Sequence, residues 1–259
     1  QGKSLKTLSH LVPNLFIPDY GSHLTSAFYI RGVGSRINAP AVGMYVDNIP
    51  YLDKSAFDFN FMDVERVDVM RGPQGTLYGR NAMGGIVRVF TKNPFHYRGT
   101  EVKMGYSTGE NNRNVTVSHH HRLNDSFAFS AGAYYVGSDG FFKNDLTGKK
   151  VDGIQTVGGR LRGIYKANDR LTMDLSLNYD YCDEGAYPYY YAGSLTEKEP
   201  YADYVGKISN NNESRYRRNM LNTGLNISYD LGEVEIKSVT SFQNLCDRMF
   251  QDQDFLPRD

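Results

Sequence analysis

The sequence predicts a mainly β protein, an antiparallel transmembrane β-barrel of which about seven strands are present, preceded by a small N-terminal α+β domain. Three observations predict it. From Thr100 onward, seven segments alternate apolar and polar residues, the period of strands that divide two environments between their faces. The joins between those segments alternate short and long, which puts all tight turns at one end of the sheet and all long loops at the other. Finally, no apolar run approaches the roughly 20 residues a spanning helix needs, whereas 20 Tyr and 26 Gly with no Trp suit strands with wet, amphipathic surfaces.

Composition narrows the function classes. The 259 residues suffice for one large or two ordinary domains, and 29 basic side chains balance 29 acidic ones, which argues against a nucleic-acid partner. Hydrophobic residues make up 40%, low for a closed globular core. Gln1 opens no signal peptide, so the chain is expected to begin inside a longer protein.

The N-terminal region, residues 1–97, culminates in "MRGPQGTLYGRNAMGGIVRVFTKNP", residues 70–94, with five glycines and two prolines. A phosphate-binding loop is the first reading to test, because bare backbone N–H groups can cradle a phosphate. It fails. Gly75 is followed by Thr76 and Leu77 instead of the Lys-Ser/Thr pair, and no Gly-x-Gly-x-x-Gly joins a strand to a helix. Tight turns are the better explanation, with Gly72, Gly75 and Gly79 free to take positive φ and Pro73 fixing a bend.

Strands follow at residues 102–106, 115–123, 127–135, 157–165, 171–181, 221–229 and 234–242. The clearest is "LTMDLSLNYDY", in which Leu171, Met173, Leu175, Leu177, Tyr179 and Tyr181 face one way and Thr172, Asp174, Ser176, Asn178 and Asp180 the other. Several strands end on a tyrosine, where a membrane barrel sets its interfacial girdle. The joins "STGENNRN", residues 137–156 and residues 182–218 are long and polar, while "LNDS", "KANDR" and "YDLGE" are tight. Seven strands cannot close a barrel with an open lumen, so the wall is expected to continue beyond Asp259.

In order along the chain, "YIRGVGSR", "VGMYVDNIP" and "MDVERVDVMRGPQGTLYGRNAMGGIVRVFTKNP" resemble the plug domain of TonB-dependent outer-membrane receptors. The resemblance divides the chain into a plug, residues 1–97, and the first strands of the barrel, residues 98–259. It implies a plug filling a 22-stranded barrel, a ligand bound above the plug from outside, and energy delivered by TonB through a segment preceding Gln1. "LSHLVPNLFIPDYG" looks like the family's Leu-x-x-x-Pro-Gly-Val stretch, with Asn14 in the glycine position.

By the same resemblance, Val67 and Val69 lie on a plug strand, residues 72–79 form a compact turn and residues 86–90 the return strand. Arg66, Arg71, Arg80 and Arg88 are available for carboxylates of plug or wall. The plug motif comprises Arg31, Gly32, Asp47, Glu65, Arg66, Arg71, Gly72, Pro73, Gly75, Tyr78, Gly79, Gly84 and Gly85. "MRGPQG" and "AMGGIV" depart from the Lys-Asp-Ala and Ala-Ala-Asn-Gly-Val of the sugar-importing branch, and place the chain nearer the siderophore and cobalamin branch.

By the resemblance, ligand-contacting candidates come from the plug loops at residues 18–26 and 51–57, namely Asp19, Tyr20, His23, Tyr51, Asp53 and Lys54, which are either a polar and aromatic set for a hydrogen-bonding ligand or ordinary solvated loop. Tyr187, Tyr189, Tyr190 and Tyr191 sit in the longest outer loop, where they can stack on a flat ligand or simply pack. Arg160 and Arg162 point into the lumen while Leu161 faces lipid, and either meet an anionic iron complex or pair with the plug.

No metal site or cofactor is expected. In His119, His120 and His121 neighbouring side chains point to opposite faces, so only the outer two can converge. Cys182 and Cys246 sit on strands separated by a third, roughly 10 Å apart on neighbour spacing, and are expected to be free thiols. No catalytic triad or carboxylate pair has a defensible spacing, so the protein is not expected to be an enzyme. Function is expected to be active import of a scarce ligand such as a ferric siderophore across the Gram-negative outer membrane, with TonB, outer-membrane lipid and the ligand as partners. The alternatives are a glycan or peptide importer, an adhesin or signalling receptor, and a soluble β-protein that closes its own edges.

Overall fold

The computed structural model describes residues 5–35, 39–58, 60, 62–193 and 201–257. After a 3-10 turn at Leu5–His10 come β1 (Leu15–Phe16), a second turn at His23–Thr25, β2 (Tyr29–Ile30), β3 (Val42–Val46), β4 (Ile49–Tyr51) and a third turn at Lys54–Ala56. Then β5 (Val64–Arg71), the one-turn helix α1 (Gly75–Tyr78) and β6 (Gly85–Thr91) complete the plug portion. The wall consists of β7 (Gly99–Ser107), β8 (Asn112–Arg122), β9 (Phe127–Ser138), β10 (Ile154–Lys166), β11 (Leu171–Gly185), β12 (Arg215–Asp230) and β13 (Glu235–Phe250).

The plug sheet has the order β4-β3-β6-β5, with β3 and β6 parallel and the other pairs antiparallel. Its apolar side chains, among them Val42, Met44, Val46, Val87 and Val89, pack with Phe28, Ile30 and Phe57 into one buried core. Each such side chain removed from water contributes about 1.5–3 kcal/mol. Met220 of β12 joins the same core, so plug and wall share apolar packing.

The β3–β4 hairpin turns on Asp47 and Asn48, both at positive φ (47° and 68°), the two-residue turn whose twist matches that of the strands. Asn14 likewise sits at φ 63°, a left-handed conformation that asparagine tolerates. Gly85 has φ 141°, and a Cβ there would lie 2.2 Å from Met70 O, so only glycine allows β5 and β6 to pair at this point.

In the wall, seven strands form an antiparallel meander in sequence order, each paired with its neighbour. Its two faces are inverted relative to a soluble protein. Met104, Val117, Leu161, Leu175, Leu177 and Phe242 are exposed on one face, while Ser118, His120, Arg160, Arg162, Asp180, Arg218 and Asn222 are buried on the other against the plug. That is the partition of a membrane barrel, apolar towards lipid and polar towards the lumen. The 16 residues each of β12 and β13 exceed the roughly 9–11 that a tilted strand needs to cross the hydrocarbon.

One expected loop is corrected. The first outer join is only residues 108–111, because "NRN" at 112–114 continues β8 and pairs in register with residues 105–107 of β7. The later outer joins, residues 139–153 and 186–214, are long, and the opposite joins at 123–126, 167–170 and 231–234 are tight. His119 and His121 lie on the outer face, their rings stacked at 5.8 Å beside Phe129, while His120 faces Asp63 of the plug at 3.5 Å. Both cysteines are free, Cys182 buried and Cys246 exposed.

Candidate functional site

Three levels of polar contact join plug and wall among the described residues. At the lower level the hairpin tip delivers Asp47 to β10. Thr91 donates from N to Asp47 Oδ1 (2.9 Å) and from Oγ1 to Oδ2 (2.7 Å), Arg160 Nη2 closes on Oδ2, and Arg162 Nη1 stands 3.5 Å from the same oxygen. Burial works against the Asp47 charge, but the Arg160 and Arg162 guanidinium groups outweigh it and hold the carboxyl below the usual aspartate range. Arg162 also grips Asp174 of β11 with Nε (3.0 Å) and Nη2 (2.7 Å) and donates to Thr91 Oγ1 (2.9 Å).

Nearer the long loops, fully buried Arg218 of β12 pairs with Asp180 of β11 (2.5 Å) and donates to the carbonyls of Ser55 and Asp58. Tyr134 donates to the other oxygen of Asp180. The plug turn at Lys54–Ala56 is thereby tied to three wall strands.

Above this lies a mixed cluster. Ser22 Oγ (2.9 Å) and His23 N (2.7 Å) both donate to Glu184 Oε1, and His23 Nδ1 donates to Glu184 Oε2 at 2.6 Å. Cys182 Sγ is 3.9 Å from the same ring nitrogen, and Asp58 Oδ2 faces His23 Nε2 at 3.7 Å. Lys6 bridges Asp58 and Asp19, at 3.0 Å each. Burial opposes the His23 charge, yet Glu184 and then Asp58 overcome it and lift the imidazole well above its ordinary value. The same balance of burial against neighbouring charge holds the Asp58 carboxyl low, with His23 and Lys6 as the partners.

A cleft of about 480 Å³ opens beside this cluster, between the bases of the two long loops. Glu184, Tyr187, Lys149, Lys150, Asn210 and Arg215 line it, giving both charge signs and amide donors and acceptors. Its size falls within the range of small-molecule pockets, about 300–1,000 Å³.

The expected ligand residues divide. Tyr187 lines the cleft, and its N donates to Gly21 O (2.8 Å) of the plug. Tyr189 Oη donates to Tyr20 O (2.7 Å), Tyr190 is exposed, and Tyr191 packs edge-on against Tyr201. Asp19 stays exposed but caps Gly21 N and pairs with Lys6. Tyr20 approaches Tyr29, their hydroxyls 3.4 Å apart.

The expectation for Tyr51 needs correction, and the remaining candidates are engaged within the protein. Tyr51 is 3% exposed within the plug core, because the two-residue hairpin turns its ring away from the mouth. Asp53 accepts from Ser55 N (2.8 Å) and Ser55 Oγ (2.6 Å) and caps the turn that contains half-buried Lys54. Arg160 and Arg162 face the lumen as expected but are sealed beneath the plug and committed to Asp47 and Asp174.

The motif residues shape the plug. Arg31 and Gly32 form the turn after β2, and Glu65 sits at the β5 register shift, where it accepts from Tyr97 (3.4 Å). Arg66 pairs with Asp68 (2.9 Å), Arg71 donates to Pro13 O, and Arg88 donates to Asn48 while lying over Phe90. Gly72 donates to Gly84 O and, with Pro73, leads to Gly75 at the start of α1; Gly79 closes the helix, whose Tyr78 packs on Tyr45. Arg36, at the end of "YIRGVGSR", lies outside the described residues, as do residues 194–200 of the longest outer join.

Sequence reasoning missed Lys6, Asp58, Cys182, Glu184 and Arg218. A signal existed for two of them. Extending the alternation of β11 past Asp180 puts residues 182 and 184 on the same lumenal face.

Comparison with known proteins agrees with this architecture. Residues 1–86 match the TonB-dependent Receptor Plug Domain family. The pesticin receptor of Yersinia pestis is 42% identical over 89 residues, 34% of this chain and 13% of that protein. The vitamin B12 transporter BtuB of Vibrio vulnificus is 32% identical over 116 residues, 40% of this chain and 18% of that protein. Among solved structures, the ferric yersiniabactin uptake receptor FyuA of Yersinia pestis superposes with a TM-score of 0.78 at 23% identity, over 95% of this chain and 39% of that one. The ferripyoverdine receptor of Pseudomonas aeruginosa gives 0.73 at 13% identity, over 96% and 33%. This chain thus spans well under half the length of each. Residues 1–86 thus match the plug domain of TonB-dependent receptors in sequence, and the chain shares the fold of such outer-membrane receptors over nearly its whole length.

Proposed function

We propose that the receptor to which this chain belongs actively imports a scarce ligand across the outer membrane, a ferric siderophore or similar iron complex, by non-covalent capture and TonB-driven release. The plug occupies residues 1–97 and the wall begins at residue 98. The observation that carries this reading is the buried joint formed by Asp47, Arg160, Arg162, Asp180 and Arg218. Moving the plug to let a ligand through breaks the Asp47 pairs with Arg160 and Arg162. Breaking one partner of a buried pair costs about 3–5 kcal/mol, and an external energy source answers that cost. The cleft supplies hydrogen-bonding groups and the Tyr187 ring.

Growth tests it. Cells lacking or carrying the full-length gene receive iron complexes, cobalamin and glycans singly at limiting concentration. Growth restored by one iron complex, and abolished without TonB, is the expected result. Growth restored only by a glycan or a peptide, or by nothing despite correct insertion, contradicts the reading.

A further inference from the structure

The ligand reading leaves the cluster at the outer joint unexplained. His23 Nδ1, Cys182 Sγ and a Glu184 carboxylate oxygen lie within 4.8 Å of one another, from a plug loop and a wall strand far apart in sequence. A nitrogen, a thiol sulfur and a carboxylate oxygen converging at one buried point is a donor set that suits a borderline cation such as Zn²⁺.

The surroundings fit a ligating role for each group. Ser22 Oγ and His23 N both donate to Glu184 Oε1, which fixes the carboxylate and leaves Oε2 on the His23 ring nitrogen. Asp58 faces the far ring nitrogen at 3.7 Å, the placement of the carboxylate that orients a histidine bound through its other nitrogen. Cys182 is fully buried, and its sulfur lies 3.9 Å from that ring nitrogen.

Geometry requires little movement. Zinc bonds of about 2.0–2.3 Å put tetrahedral ligands about 3.3–3.8 Å apart. The Nδ1–Sγ separation of 3.9 Å is already close, and the 2.6 Å Nδ1–Oε2 hydrogen bond opens as the ion enters. Charge also balances. Loading displaces one proton from His23 Nδ1 and one from Cys182 Sγ, so two protons leave to solvent as one dication arrives.

We propose that His23, Cys182 and Glu184 bind a single divalent transition-metal ion, with Zn²⁺ the best match, that clasps the plug loop to strand β11. The remaining coordination is left to water. The ion is resident and separate from any imported cargo, so this inference stands apart from the import reading.

The test uses the full receptor purified from outer membranes, stripped with chelator and titrated with Co²⁺ alone. The expected result is one bound equivalent with a thiolate-to-cobalt charge-transfer band and strong four-coordinate visible bands, both erased by Zn²⁺. Cys246→Ser keeps the signal, Cys182→Ser loses the thiolate band, and His23→Gln weakens binding roughly ten-fold or more. No thiolate band in the wild-type receptor overturns the proposal, and that spectrum decides even if a variant fails to insert. A band that persists in Cys182→Ser overturns it as well.

Discussion

Arg160 of the wall closes on Asp47 of the plug in an ion pair whose side chains are 7% and 4% exposed, and Arg162 leans on the same carboxylate. Because both guanidinium groups are buried, their cost falls on whatever removes the aspartate.

Asp47→Asn keeps the shape and removes the charge. It is expected to weaken the plug–wall joint by about 3–5 kcal/mol, seen as plug release and proteolysis at lower urea in the purified receptor. Asp125→Asn, which touches only the exposed pair with Arg122, leaves the release midpoint unchanged.

The same pair sets an acid limit. The folded Asp47 carboxyl is held below its ordinary value, so its contribution is fully present above the unfolded aspartate value of about 3.9 and is lost as pH falls through the folded one. Plug retention is expected to be flat from neutral pH down to about 5 and to decline below about 4. In Asp47→Asn this acid-dependent part of the decline is absent. A decline of equal size in both proteins contradicts the assignment.

Gly85→Ala drives a Cβ to within 2.2 Å of Met70 O and 2.9 Å of the Ile30 side chain. The expected cost is about 1–3 kcal/mol or more from overpacking, with less folded receptor in the outer membrane. Gly72→Ala has positive φ but open space, so only backbone strain of about 1–2 kcal/mol is expected.

Tyr189→Phe removes the bond to Tyr20 O that docks the long loop on the plug. Its expected cost is about 0.5–1.5 kcal/mol, read as faster protease cutting within residues 186–214 with the receptor otherwise intact.

Much of this fold was legible because a lipid-facing wall must alternate, and the odd residues of 171–181 do so without interruption. The joint was less so. Which carboxylate meets Arg160 depends on where a plug hairpin tip lands on a strand more than a hundred residues later, and local pattern carries no such information. Tyr51 looked like a mouth residue because it follows a turn, but the tightness of that turn returns it to the core. Cys182 and Glu184 were hidden because the apolar half of the alternation stops at Tyr181 while the lumenal half continues.

The most direct measurement is the initial rate of uptake of a radioiron-labelled ferric siderophore by cells making the full receptor, with and without TonB. Active import requires saturable, receptor-dependent uptake of one complex that falls to background without TonB, while surface binding persists. Uptake equally fast without TonB, or binding never followed by uptake, would contradict it.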